Sequence, residues 1–97
     1  MPTTNNPFCI IGHRGAKHER FENSLDGFQH ALTLGIDAIE LDIREHSQRF
    51  WVFHDRHLER LTGKPGLFDD QPDPGAIKLC NGEPVPDLQQ VLDLYWG

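Results

Sequence analysis

Ile36-Asp37-Ala38-Ile39-Glu40-Leu41-Asp42-Ile43, then the short run His46-Ser47-Gln48-Arg49, then Phe50-Trp51-Val52-Phe53-His54-Asp55, is the stretch whose periodicity decides the fold. Alternation over 36–43 puts Ile39, Leu41 and Ile43 on one face of a strand and Ile36, Ala38, Glu40 and Asp42 on the other. The two carboxylates therefore point the same way. Phe50 to Phe53 reads as a second strand, and His46 to Arg49 is far too short for the crossover that parallel neighbours need, so the pair is predicted to be an antiparallel hairpin. Centring it on Ser47-Gln48 folds His54 back beside Leu41 and Asp42.

Upstream, Phe8-Cys9-Ile10-Ile11 is a continuous apolar run stopped by Gly12, the pattern of a strand buried on both faces of a parallel sheet, with His13-Arg14-Gly15 just past its end. A helix is predicted from Asn23 or Ser24, with Asn23 as a cap, Leu25, Phe28, Ala31 and Leu32 at helical spacing, and Gly35 as its stop. Gly27 weakens it slightly. Downstream, Gly63 to Pro84 holds four Gly and four Pro in 22 residues and reads as an irregular insertion, with Ile77 to Leu79 as a short packed element within it. Asp87 is placed to cap a last helix with Leu88, Val91, Leu92 and Tyr95 on one face. The class is α/β, with residues 1–7 as a polar N-terminal segment and 8–97 as one unit.

At 97 residues, 37% hydrophobic, the composition is that of an ordinary folded domain. Nine Lys and Arg against fifteen Asp and Glu give a formal charge of −6, the wrong sign for the phosphate attraction that holds nucleic acid. No apolar stretch approaches the ~20 residues of a membrane span, and Met1 to Pro7 lacks the features of an export signal, so a soluble cytoplasmic chain is expected. Cys9 and Cys80 fit no metal or redox spacing and are expected to be reduced.

Glu40 and Asp42 lie about 6.5–7 Å apart along the backbone, close enough to converge on one divalent cation such as Mg²⁺ or Ca²⁺. On spacing alone they read equally well as the solvated face of a half-exposed strand. His13 and His54 each follow a predicted strand, where α/β folds collect functional side chains, and a histidine pair can divide the roles of proton acceptor and donor. Arg14 has the fork that clamps a phosphate, or it forms an ordinary ion pair with a nearby carboxylate. His18, His30, His46 and His57 take the ordinary reading of exposed or satisfied imidazoles, His30 on a helix and His46 in a turn.

Taken together, Ile11-Gly12-His13-Arg14-Gly15-Ala16, Glu22-Asn23-Ser24, Gly35 through Asp42, Val52-Phe53-His54-Asp55, Leu58-Glu59-Arg60-Leu61-Thr62-Gly63 and Val85-Pro86-Asp87-Leu88 through Val91-Leu92 resemble the glycerophosphodiester phosphodiesterase family. The resemblance runs over nearly all of residues 8–94 in the family's order. It implies a metal-dependent TIM (β/α)₈ barrel phosphodiesterase that releases glycerol 3-phosphate and an alcohol from a small glycerophosphodiester. It further implies His13 and His54 as the acid/base pair, Arg14 on the phosphate, Glu22 and Asn23 lining the site, and Glu40 and Asp42 as ligands of a divalent cation, Ca²⁺ or Mg²⁺.

Three departures qualify it. Phe21 stands where the family usually has Pro before Glu-Asn, and His46 to Arg49 replaces its usual Lys-Asp-Gly turn. A TIM barrel takes about 250 residues, so the expectation here is its N-terminal portion, incomplete in this chain, with a further acidic ligand missing. Such a portion would expose strand faces and the apolar stripe of its last helix, through which copies would self-associate. Two alternatives follow: an inactive fragment that binds phosphate compounds or self-associates without turnover, and a sphingomyelinase-D-like phospholipase, a branch usually exported and disulfide-bonded.

Overall fold

The computed structural model describes residues 8–96; the polar segment expected at 1–7 lies outside them. The elements in chain order are β1 (Ile11–His13), α1 (Leu25–Thr33), β2 (Ala38–Glu40), β3 (Ile43–His46), β4 (Arg49–Val52), α2 (Glu59–Thr62) and α3 (Leu88–Trp96), with two 3₁₀ turns between α2 and α3. Strands β1 and β2 pair in parallel, with α1 as the crossover. Strands β3 and β4 form the antiparallel hairpin.

The hairpin closes on Ser47 and Gln48, whose φ angles of 54° and 63° are the left-handed pair of a type I′ turn, and His46 pairs with Arg49 across it. The same register brings the Phe53 amide onto the Asp42 carbonyl at 3.0 Å. The single strand expected over 36–43 is two strands, because the ladder changes partner at Leu41-Asp42: residues 38–40 pair with β1, and 43–46 pair with β4. His46 consequently ends a strand rather than sitting in a turn.

The strand expected from Phe8 begins at Ile11 and runs through His13. It is not buried on both faces: Phe8, Ile10 and Ile11 are 75%, 54% and 59% exposed, since β1 has a sheet neighbour on one side only among the described residues. Helix α1 is capped by Ser24, not Asn23; the Ser24 hydroxyl accepts from the Gly27 amide at 3.0 Å while Asn23 turns away in a left-handed conformation. Gly27 is no defect, because a Cβ there would lie 2.6 Å from the Phe21 carbonyl.

Two packed clusters hold these elements. Phe28 of α1, Val52 of β4 and Val91 of α3 form one, flanked by Ile39, Leu41, Leu94 and Tyr95, and the Tyr95 hydroxyl donates to the Phe28 carbonyl at 2.9 Å. The packed face of α3 is thus Val91, Leu94 and Tyr95; of the stripe expected to be bare, Val91 and Tyr95 pack with Phe28 of α1 and Val52 of β4, while Leu88 and Leu92 stay outside the cluster. The other cluster joins Trp51, Phe53, Leu58 and Leu61 to Phe68, Leu79 and Val85, the last three from the irregular 63–85 region. Asp87 caps α3 as expected, its carboxylate accepting from the Gln90 amide while Gln90 Oε1 accepts from the Asp87 amide. No helix among the described residues is long and apolar enough to cross a membrane, and Cys9 and Cys80 are free and exposed.

Candidate active site

The parallel register sets His13 directly opposite Glu40, and His13 Nε2 lies 3.7 Å from Glu40 Oε1. The chain then turns sharply. Arg14 takes a left-handed φ of 52°, and a Cβ on Gly12 would collide with the Gly15 carbonyl at 2.2 Å, so only glycine permits this close approach. The turn presents the Arg14 amide to Glu40 Oε1 at 3.1 Å and swings the Arg14 side chain inward. There Nη1 donates to Glu22 Oε2 at 2.9 Å and Nε stands 3.2 Å from Asp42 Oδ2, with the guanidinium largely buried.

Asn23 locks this turn from the far side. Its amide donates to the Arg14 carbonyl at 2.9 Å, and its Nδ2 donates to Asp42 Oδ2 at 3.1 Å. His13, Arg14, Glu22, Asn23, Glu40 and Asp42 therefore form one contiguous group at the C-terminal ends of β1 and β2. Glu40 and Asp42 share a side, as the alternation predicts, because both reach Arg14.

His54 joins the group indirectly. Its Nδ1 is 2.6 Å from Asp55 Oδ1, and its carbonyl accepts from Arg44 Nη2 at 2.9 Å. Asp55 in turn accepts from Arg60 Nε and Nη2, both at 2.8 Å, and Arg60 Nη1 and Nη2 donate to Glu22 at 2.8 and 3.1 Å. A continuous polar chain thus runs from His54 through Asp55, Arg60, Glu22 and Arg14 to Glu40 and His13. Sequence reading passed over Asp55 and Arg60 as participants. The available signal was their separation, a carboxylate beside His54 and a cation five residues on.

Charge in the group is unbalanced. Burial pushes the Glu22 carboxyl upward, but hydrogen bonds and charge from Arg60 and Arg14 outweigh it and hold Glu22 below its ordinary range. Hydrogen bonds from Arg60 above all, against a smaller burial cost and helped by His54, hold Asp55 well below the usual carboxylate range. Bonding to Asp55 and Glu22 raises Arg60 in return. Four carboxylates, Glu22, Glu40, Asp42 and Asp55, face two guanidiniums, Arg14 and Arg60, which leaves an excess suited to a divalent cation. Asn23 Oδ1, an oxygen of the kind hard cations and hydroxyl groups seek, is buried without a hydrogen-bond partner. Among the described residues no three His, Cys, Asp or Glu side chains converge to hold a metal by themselves. Glu40 and Asp42 would therefore supply only part of a divalent cation's oxygen ligands.

Of the remaining histidines with assigned contacts, His46 bonds Ser47 and the Gln71 carbonyl, whereas His30 Nε2 lies 3.4 Å from Glu19 Oε2 but is buried without a hydrogen-bond partner, so it is neither exposed nor satisfied.

A glycerophosphodiester phosphodiesterase from Caldanaerobacter subterraneus subsp. tengcongensis is 33% identical over 96 residues, covering 88% of this chain and 39% of the relative. The lysophospholipase D GDPD1 of Rattus norvegicus is 44% identical over 54 residues, covering 55% of this chain and 17% of the relative. The crystal structure of glycerophosphodiester phosphodiesterase from Agrobacterium tumefaciens str. C58 superposes with a TM-score of 0.78 at 30% identity, over 88% of this chain and 41% of that one. The chain thus spans at most about two-fifths of the length of these proteins, and its α/β fold is the N-terminal portion of their TIM barrel. Residues 13–96 match the glycerophosphoryl diester phosphodiesterase family, and the chain belongs to it.

Proposed function

We propose that residues 8–97 are a partial catalytic domain carrying half of a site for metal-dependent hydrolysis of glycerophosphodiesters to glycerol 3-phosphate and an alcohol. The observation that carries this reading is the unbroken polar chain from His13 to His54, which ties both imidazoles to one carboxylate-rich group.

Each residue then has a task. Arg14 donates Nη1 to Glu22, while its Nε lies 3.2 Å from Asp42 Oδ2 but is buried without a hydrogen-bond partner, so the guanidinium keeps donor capacity for a non-bridging phosphate oxygen. Glu40 and Asp42 would hold Mg²⁺ or Ca²⁺, which when bound neutralises phosphate charge. Glu22 fixes Arg14, and Asn23 Oδ1 lines the site as an acceptor for a substrate hydroxyl or the cation. One histidine takes the proton from the glycerol hydroxyl as that oxygen attacks phosphorus. The other gives a proton to the departing alcohol oxygen as the P–O bond breaks, leaving a cyclic phosphate. Water then opens the ring with the two roles exchanged. The Asp55 carboxylate at His54 Nδ1 directs Nε2 of that ring to the reaction.

The chain's span of about two-fifths of its structural relatives favours a second reading, in which it binds phosphate compounds or self-associates without turnover. One assay separates the two. Purified chain with glycerophosphocholine, glycerophosphoethanolamine or lysophosphatidylcholine, and added Mg²⁺ or Ca²⁺, is expected to release the alcohol head group, with chelator abolishing release. Background-level release alongside saturable phosphate binding would replace the first reading with the second.

A further inference from the structure

We propose that Arg60 is a positioning residue that locks the His54 imidazole into one tautomer by clamping Asp55 against the buried Glu22. This role rests on the phosphodiesterase reading only for its consequence in turnover; the clamp itself is geometric.

The placement of Arg60 follows from its neighbours. Leu58 and Leu61 are buried in the larger cluster, and the Leu61 carbonyl accepts from the Cys80 amide at 2.9 Å, so the four-residue helix α2 is anchored on both sides of Arg60. The guanidinium sits half-exposed over the site, yet its fork is taken up by carboxylates. Nε and Nη2 donate to both oxygens of Asp55, while Nη1 and Nη2 donate to both oxygens of Glu22. Arg14, by contrast, donates only Nη1 to a carboxylate and has its Nε buried without a hydrogen-bond partner. A cation with both faces of its fork occupied by carboxylates is poorly placed to bind phosphate and well placed to hold two loops at a fixed separation. The loops concerned are the one after β1, which follows His13 and bears Arg14 and Glu22, and the one after β4, which bears His54 and Asp55.

Asp55 needs such support. It lies on an irregular segment, and it accepts the His54 Nδ1–H through the same Oδ1 that meets Arg60 Nη2. Without Arg60 the carboxylate is free to rotate towards water, and the preference for the proton on Nδ1 is lost. A surface ion pair with no such task would leave His54 unchanged on removal.

The test uses imidazole ¹⁵N chemical shifts of the full chain, recorded above the histidine titration range so that the rings are neutral. His54 is identified by its loss in His54→Gln, and His46, held by Ser47 and the Gln71 carbonyl, serves as the internal control. In Arg60→Met the ratio of Nδ1-protonated to Nε2-protonated His54 is expected to fall by about threefold or more, with His46 unmoved. Arg60→Lys, whose ammonium has no planar fork, is expected to move part way. An unchanged His54 spectrum in a folded Met variant overturns the proposal. Should the Met variant fail to fold, an unchanged spectrum in Arg60→Lys overturns it equally. These shifts are read without substrate, so their movement in a chain with no hydrolase activity would uphold the clamp and remove the phosphodiesterase reading. In an active chain, kcat is expected to fall about tenfold in Arg60→Met with KM little changed.

Discussion

The irregular 63–85 region and the regular β1–β2 pair reverse the usual relation between order and burial. Phe68, Leu79 and Val85 come from a stretch with no strand or α-helix, yet they are 0%, 4% and 1% exposed. Ile10 and Ile11, in and beside a parallel strand, are more than half exposed. Regular hydrogen bonding alone does not bury a strand; a parallel sheet needs covering on both faces and a neighbour on each side. The insertion instead carries its own apolar anchors onto β4 and α2, with Phe68 stacked on Phe53 at 5.0 Å between ring centroids.

The contrast is broken most directly by truncation. Phe68→Ala removes a fully buried ring and is expected to cost about 3–5 kcal/mol, enough to unfold a small domain. Ile11→Ala at a half-exposed position is expected to change stability by less than about 0.5 kcal/mol. Urea unfolding followed by Trp51 fluorescence reads both. Equal losses would mean that β1 is covered in solution, by a second copy of the chain or otherwise.

The site straddles this boundary, which sharpens the comparison functionally. His13 stands on the open pair and His54 beside the packed cluster. In any preparation that turns over, His13→Ala and His54→Ala are each expected to lower kcat by about 10²-fold or more. Near-normal turnover in either variant removes that residue from the chemistry.

Acid sensitivity is the next effect in size. Glu22 and Asp55 have folded values held below their unfolded ones, so each stabilises the fold fully above the ordinary carboxylate range and loses that contribution as pH falls through the lowered folded value. The melting temperature of the parent chain is therefore expected to fall steeply below about pH 4. Arg60→Met removes the cation that lowers both and is expected to flatten that acid limb while reducing stability at neutral pH. A parallel downward shift of the whole profile would place the acid sensitivity elsewhere.

Much of this was legible in the residues. Alternation over 36–43 put Glu40 and Asp42 on one side, and the four-residue gap before Phe50 fixed the hairpin and hence the approach of Phe53 to Asp42. The unit boundary at residue 8 and the site roles themselves were read from the resemblance and its motif order. The break at Leu41-Asp42 was hidden because alternation continues through a change of ladder partner. The cap went to Ser24 because Asn23 is drawn off by Arg14 and Asp42, contacts distant in sequence. Exposure of Ile10 and Ile11 could not be read either, since an apolar run records what a strand is built to meet.

The smallest effect concerns a direct tie between the insertion and the first helix. The Asp26 amide, an otherwise unpaired group of the first turn of α1, donates to Glu83 Oε1 at 3.2 Å, while Ser24 supplies the local cap. Ser24→Ala leaves the Gly27 amide buried without its partner and is expected to cost about 1 kcal/mol. Glu83→Gln keeps an acceptor oxygen but loses the charge that complements the helix N-terminus, and is expected to cost about 0.3 kcal/mol at low salt and less as salt rises. Chemical denaturation at two ionic strengths checks both. If Glu83→Gln matched Ser24→Ala and ignored salt, Glu83 would be bracing the insertion against α1 by geometry rather than by charge, and the two regions would fold as one cooperative unit.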